Sequence, residues 1–211
     1  MNRFIVTLLF VVSHTIAFAQ PASYKEVKNV TAFQQELTKA NASVQDIVSD
    51  FTQVKNMSLL AEKIKSKGKF YYKKEDKVRI EYTQPFNYLL VMSNGQVMVK
   101  DEQKTSKINT KNSKAMQSVN RIMIDCMRGT VLQNTDFKVA VLENSTEYML
   151  NMVPVTDAMK KMFQQINVYL LKKNFNVDKL SMVELGGDYT DMNFVNTQHN
   201  TGVNESLFKV K

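Results

Sequence analysis

The sequence predicts a mainly β (α+β) fold: a curved antiparallel sheet forming an unclosed half-barrel, with an N-terminal helix and lid helices over an apolar cavity. Three observations carry this prediction. Strand-like alternation returns about every ten residues with turn signals between, the pattern of one large antiparallel sheet; a sheet that long curls. Only two stretches have helical spacing, too few for a layer of their own, so they cover the concave side or plug an open end. The stretch VRIEYTQPFNYLLVMSNGQVMV (78–99) is richer in apolar residues than a half-buried sheet needs.

The N-terminus stands apart from the fold. In MNRFIVTLLFVVSHTIAFAQ, Arg3 is followed by an apolar run from Phe4 to Val12 and by the small-x-small sequence Ala17-Phe18-Ala19. That is the layout of a secretory signal peptide. The run is too short to cross a bilayer core of roughly 30 Å comfortably. Residues 1–19 are expected to be cleaved, leaving 20–211 as a single exported domain with no lipid-attachment cysteine at its start.

Tyr24 to Ala40 reads as a helix, because Val27, Val30, Phe33 and Leu37 form one apolar stripe; Ser23 and Thr31 are its candidate caps. From Val44 the period changes to two. Ile47, Ser49, Phe51 and Gln53 share one side of a strand, and Ile64, Ser66, Gly68, Phe70 and Tyr72 share one side of the next, with lysines at 63, 65, 67 and 69 opposite. Lys74-Glu75-Asp76 turns the chain into VRIEY (78–82). Thr83-Gln84-Pro85 turns it again into YLLVM (88–92), which is apolar on both faces. Asn94-Gly95 is a hairpin signal that needs positive φ, and QVMVK (96–100) follows it. A short strand is expected near Lys107-Ile108.

The second helical stretch is SKAMQSVNRIMIDCMRG (113–129), with Ser113 as cap and Arg128 and Gly129 as stop signals. Strands then return at 137–143, 147–154, 165–172, 177–185 and 188–195, the last two joined by Gly186-Gly187. Thr156–Phe163 reads as a helical turn and SLFKV (206–210) as a terminal strand.

Composition narrows the function. Lys and Arg number 28 against 20 Asp and Glu, a formal charge of +8. Lysines on alternating strand positions mark a solvated face, and a positive surface also suits anionic membranes or acidic partners. No dense Arg cluster interleaved with aromatics points to nucleic acid. Cys126 is the single cysteine, so the domain has no internal disulfide and the thiol is expected to be a small buried apolar group. Beyond the leader the one histidine is His199. The sequence therefore offers no Cys–His pair, zinc spacing or phosphate-cradling glycine loop. Glu184, Asp188 and Asp191 are the candidate carboxylates for acid–base work; charges beside a hairpin are ordinarily solvated. The reading is a binding protein, not an enzyme, without cofactor or metal.

Thirteen methionines and no tryptophan favour an adaptable apolar surface over a rigid pocket. An apolar hollow wider than its own side chains can fill would accept acyl chains, each exposed methylene of which costs about 0.8 kcal/mol in water. The expected lining is Phe70, Tyr72, Val78, Ile80, Tyr82 and Leu90. The expected inner face of the lid is Met116, Val119, Ile122, Met123 and Met127.

DFTQV (50–54), GKFYYKKEDKVRIEYTQP (68–85) and LLVMSNGQVMV (89–99), taken together, resemble the LolA family of periplasmic lipoprotein carriers. The resemblance implies an unclosed barrel with helical lids and a hydrophobic cavity. It further implies a periplasmic, monomeric carrier that takes acylated lipoprotein or lipid cargo from an inner-membrane releasing complex to an outer-membrane acceptor. Where the family commonly has Arg-Pro in the basic turn, this chain has Lys74-Glu75. The lid latch would then fall to Lys74, a point charge and not a bidentate fork. Two other readings stay open: a periplasmic lipid- or lipoprotein-sensing regulatory domain on the same scaffold, and an enzyme using paired carboxylates.

Overall fold

The structure, a computed structural model, describes residues 23–60, 62–109, 121–122 and 124–210. The expected signal peptide and the first part of the second helix lie outside the described residues. Twelve strands form one sheet: β1 (Lys25–Glu26), β2 (Asp46–Asn56), β3 (Ile64–Lys73), β4 (Lys77–Gln84), β5 (Tyr88–Ser93), β6 (Gln96–Lys100), β7 (Thr105–Asn109), β8 (Phe137–Glu143), β9 (Glu147–Pro154), β10 (Phe163–Leu171), β11 (Val177–Glu184) and β12 (Tyr189–His199). Their order is β1-β8-β9-β10-β11-β12-β2-β3-β4-β5-β6-β7, all antiparallel, so the sheet is not closed into a barrel. The chain builds two meanders and joins them where β12 returns beside β2, with Phe194 opposite Phe51.

Helix α1 (Val30–Asn41) is shorter than its apolar stripe predicts. Its cap is Asn29, whose side chain accepts from Ala32 N at 2.9 Å, not Ser23 or Thr31. A short Asn side chain at this position satisfies an otherwise orphaned helical N–H. The chain before it extends instead of coiling, because Lys25 and Glu26 pair with Glu143 and Leu142 of β8. Among the described residues the other α-helices are α2 (121–128, with residue 123 outside the described set) and the single-turn α3 (Asp157–Lys160). The expected terminal strand is instead a 3-10 turn, Glu205–Phe208, with Asn204 as its cap.

Side chains on the concave face form rows running across neighbouring strands. Phe70 stands opposite Ile80, and Ile80 opposite Leu90; Tyr72 stands opposite Val78, and Val78 opposite Met92. In a third row, Gly68 lies between Phe51 and Tyr82. A Cβ there would collide with the Glu81 carbonyl oxygen and stand 2.9 Å from the Phe51 ring. The missing side chain lets Phe51 and Tyr82 meet edge to face across β3, their centroids 5.0 Å apart.

The concave face supports two apolar clusters with α2 between them. Ile122 and Cys126 pack with α1 (Phe33, Leu37) against β8–β10. Ile124 and Met127 pack against Phe70, Tyr72, Val78, Ile80 and Phe194. This explains why residues 88–92 are apolar on both faces. Leu90 and Met92 face inward, while Val91 and Met98 on the convex face are buried under Val203, Leu207 and Phe208 of the C-terminal segment.

That segment is tied down at Asp46. Its carboxylate accepts Thr201 N (2.7 Å), Thr201 Oγ1 (3.0 Å), Gly202 N (3.0 Å) and Val203 N (3.2 Å). Burial works against its charge, but these donors win and hold the carboxyl below its ordinary range.

Candidate functional site

The antiparallel meander places its loops alternately on two rims. One rim carries the β2–β3, β4–β5, β6–β7, β9–β10 and β11–β12 connections, and a cleft of about 640 Å³ opens there. It is lined by Ile64, Tyr82, Pro85, Phe86 and Tyr88, with Ser66, Gln84, Asn87 and Asp101–Gln103 at its edge. An apolar wall with a few polar groups, in this size range, is the character of a ligand cleft.

Tyr82 links this cleft to the interior. Its ring packs on Tyr88 (centroids 5.7 Å) and on Phe51, and its hydroxyl donates to Gln53 Oε1 at 2.9 Å. Burial, with Tyr88 adding to it, pushes the Tyr82 phenol up to about 12. It stays a neutral donor at any physiological pH.

The sequence-predicted lining residues share the concave face, but the structure packs them unequally. Phe70, Tyr72 and Val78 are fully buried, Ile80 is buried, and Tyr82 and Leu90 are half-buried. Beneath α2 the space left is about 20 Å³, bordered by Ile47, Phe70, Met127, Phe194 and His199, which is room for one water. In this arrangement the space beneath α2 is nearly filled, and the apolar cleft lies at the rim. Ile122 and Met127 of the expected lid face are buried on different sides of α2; Met116, Val119 and Met123 lie outside the described residues.

Polar ties hold the C-terminal end of α2. Arg128 Nη2 stands 2.5 Å from Asp76 Oδ1 in the β3–β4 turn. Gln34 Nε2 and Thr38 Oγ1 of α1 donate to the Gly129 carbonyl. Gly129 itself has φ +71°, and a Cβ there would meet the Leu37 carbonyl oxygen at 2.9 Å, so the helix stops where the sequence signals it. Lys74 is exposed on the same turn. Among the described residues the ion pair from the turn to α2 is made by Asp76, with the arginine on the helix. The sequence flagged Arg128 only as a stop signal and Asp76 only as a turn residue, because nothing in their spacing announces that they meet.

The candidate chemical groups are engaged structurally. Glu184 pairs with Lys55 (3.1 Å), Asp191 with Lys179 (2.8 Å), and Asp188 accepts Ser58 N and Oγ (2.7 and 2.8 Å). Cys126 is buried, and desolvation, with Asp125 adding to it, pushes its thiol up to about 12. It is a packing group, not a nucleophile. Among the described residues no group of three or more His, Cys, Asp or Glu could hold a metal, and no helix is long and apolar enough to cross a membrane.

Comparison with known proteins agrees with this geometry. The sequence profile of the family described as "Outer membrane lipoprotein carrier protein LolA" matches residues 42–211. No curated protein matches significantly. Among solved structures, an uncharacterized conserved protein from Thermus thermophilus is similar (TM-score 0.51, 10% identity, covering 86% of this chain and 94% of that one). So is MucB (TM-score 0.50, 9% identity, covering 88% of this chain and 64% of that one). A DUF1329 family protein from Desulfovibrio piger aligns at TM-score 0.48 and 12% identity, covering 87% of this chain and 98% of that one. For the first two, at such identities, the likeness is one of fold.

Proposed function

The chain belongs to the family of the outer membrane lipoprotein carrier protein LolA, and on that premise we propose that it is an exported periplasmic carrier of acylated lipoproteins or related acylated lipids. It takes cargo from a releasing complex at the inner membrane and delivers it to an acceptor at the outer membrane, with no chemistry done on the cargo. The observation that carries this reading is the 640 Å³ cleft, whose Tyr82 wall also packs against the concave apolar cluster. Each methylene sheltered there removes about 0.8 kcal/mol of exposure.

A chain enters first at the cleft, against Phe86, Tyr88 and Tyr82. Deeper entry, onto Leu90, Ile80, Val78, Phe70 and Tyr72, displaces α2 and its Met127, since the closed interior has room for one water. The polar ties on α2 suit such a step. Arg128 and Asp76 are both nearly half-exposed, and an ion pair of that kind contributes about 0–1 kcal/mol.

The test is binding of a fluorescent fatty-acid probe, with mass spectrometry of whatever co-purifies from the periplasm. Tyr88→Glu, at an exposed cleft position, is expected to weaken probe binding with the fold intact, and Ile80→Glu to abolish deep binding. A wild-type protein that binds no acyl probe sinks the proposal. Binding without handover to any acceptor would favour the sensing reading.

A further inference from the structure

Ten large hydrophobic residues are exposed among the described residues, and eight of them stand on the rim that holds the cleft. The most exposed are Leu59 (92%) in the β2–β3 connection, Phe86 (70%) between β4 and β5, and Leu185 (58%) in the β11–β12 hairpin; Leu60, Val155 and Ile64 accompany them. From the β9–β10 connection to the β4–β5 loop these tips span eight adjacent strands, about 34 Å of arc at about 4.8 Å per strand. The other two exposed residues, Val30 on α1 and Val195 at the bulge in β12, lie apart from this rim.

Three of the connections that carry the tips are tied to one another. The Asp188 carboxylate ties the β2–β3 connection to the β11–β12 hairpin through Ser58. Leu185 N donates to Met162 O at 3.0 Å, and Gln164 Nε2 to Leu185 O at 3.0 Å. These connections are hydrogen-bonded to one another while the apolar side chains face water. Each solvated side chain of this size forgoes about 1.5–3 kcal/mol of burial.

We infer that this rim docks on the surface of an anionic lipid bilayer, Leu59, Phe86 and Leu185 entering the headgroup region. Separate apolar tips spaced along an arc, with polar residues between, do not make the contiguous patch that a protein partner's core requires; a fluid interface accepts each tip independently. The exposed lysines 63, 65, 100, 104, 160 and 161 on this rim outnumber its exposed carboxylates Glu62, Asp101, Glu102 and Asp157, which suits anionic headgroups. The cleft opens on the same rim, so a docked molecule presents its apolar mouth to the acyl layer.

This inference deepens the carrier reading and is separable from it. The experiment is co-sedimentation of the wild-type chain with phosphatidylglycerol/phosphatidylethanolamine vesicles and with phosphatidylcholine vesicles, beside fatty-acid probe binding. The wild type is expected to bind the anionic vesicles more strongly. The triple variant Leu59→Glu/Phe86→Glu/Leu185→Glu should partition at least tenfold less with native circular dichroism, while Val30→Glu/Val195→Glu partitions as the wild type. No association of the wild type, or a triple variant that binds unchanged, overturns the inference. So does a triple variant that fails only in transfer to a purified protein acceptor without lipid, which would make the rim a protein interface. Vesicle binding without probe binding sinks the carrier reading alone; probe binding without vesicle binding sinks the docking surface alone.

Discussion

The two rims of the half-barrel are built from opposite materials. At one rim, the connections carry Leu59, Leu60, Phe86, Val155 and Leu185 into solvent. At the other, the turns are Lys74-Glu75-Asp76, Asn94-Gly95, Asn144-Ser145-Thr146, Lys172-Lys173-Asn174 and Asn200-Thr201-Gly202. The aromatic nearest these, Phe175, is tucked against Phe33 and stacked on Tyr148. The polar rim satisfies itself. Asn144 Oδ1 accepts Thr146 N and Glu147 N, Asn200 bridges Gln45 N and Ser43 O, and Lys77 pairs with Glu75 and Glu205. Several of its tight turns use positive φ at Asp76, Asn94 and Asn200, where short polar side chains support that conformation. The apolar rim is tied through its backbone while its largest side chains stay unburied. Satisfied polar turns and exposed apolar side chains are thus segregated to opposite ends of the same strands.

Substitutions sharpen that contrast. The largest expected effect is at the polar rim. Asp46→Ala orphans four donors and releases the C-terminal segment from Val91 and Met98; it is expected to cost about 3 kcal/mol, read as a lower urea midpoint. Acid acts on the same group. Its folded carboxyl sits below the ordinary value, so its contribution is fully present above about pH 4, the unfolded Asp range. That contribution is lost as pH falls through the folded value. An acid-unfolding midpoint that is the same in wild type and Asp46→Asn would contradict this.

A smaller effect is expected at the α2 tie. Arg128→Gln should lower stability by less than about 1 kcal/mol, yet speed fatty-acid probe uptake in stopped-flow; unchanged uptake would mean that α2 is not what limits entry. At the apolar rim Leu185→Ser should change thermal stability by no more than about 0.5 kcal/mol and still weaken vesicle association. A large loss of stability there would erase the distinction between the rims. Cys126 is expected to resist alkylation in the native state and to react only on unfolding, followed by mass shift with time in denaturant.

Much of the sheet was legible from alternation. The pairing of Phe70, Ile80 and Leu90 on one face follows from period two, and the Asn94-Gly95 hairpin from its turn chemistry. Two local readings were overridden by tertiary contacts. Tyr24 to Glu26 has helical spacing with Val30 and Phe33, but the open edge of β8 offered backbone partners that a helical turn could not match. SLFKV has strand composition but lacks a free edge to join; it turns instead and lays Phe208 on the outside of β5 and β6. The site was less legible. Phe86 and Leu59 read as ordinary loop residues, and Asp76 and Arg128 as punctuation, because their meaning lies in which end of the sheet each occupies.

Local chemistry determined the body of the first helix, the antiparallel meanders and the inward faces of β2, β3 and β4. These follow from side-chain period and turn residues, which act over a few positions. The tertiary structure alone decided that the interior is filled by α2 while the open cleft lies at the rim, that Asp76 takes the helix's arginine, and that the exposed apolar tips gather on one edge. Those outcomes depend on strand parity and on residues tens to more than a hundred positions apart, and no local pattern encodes such distances.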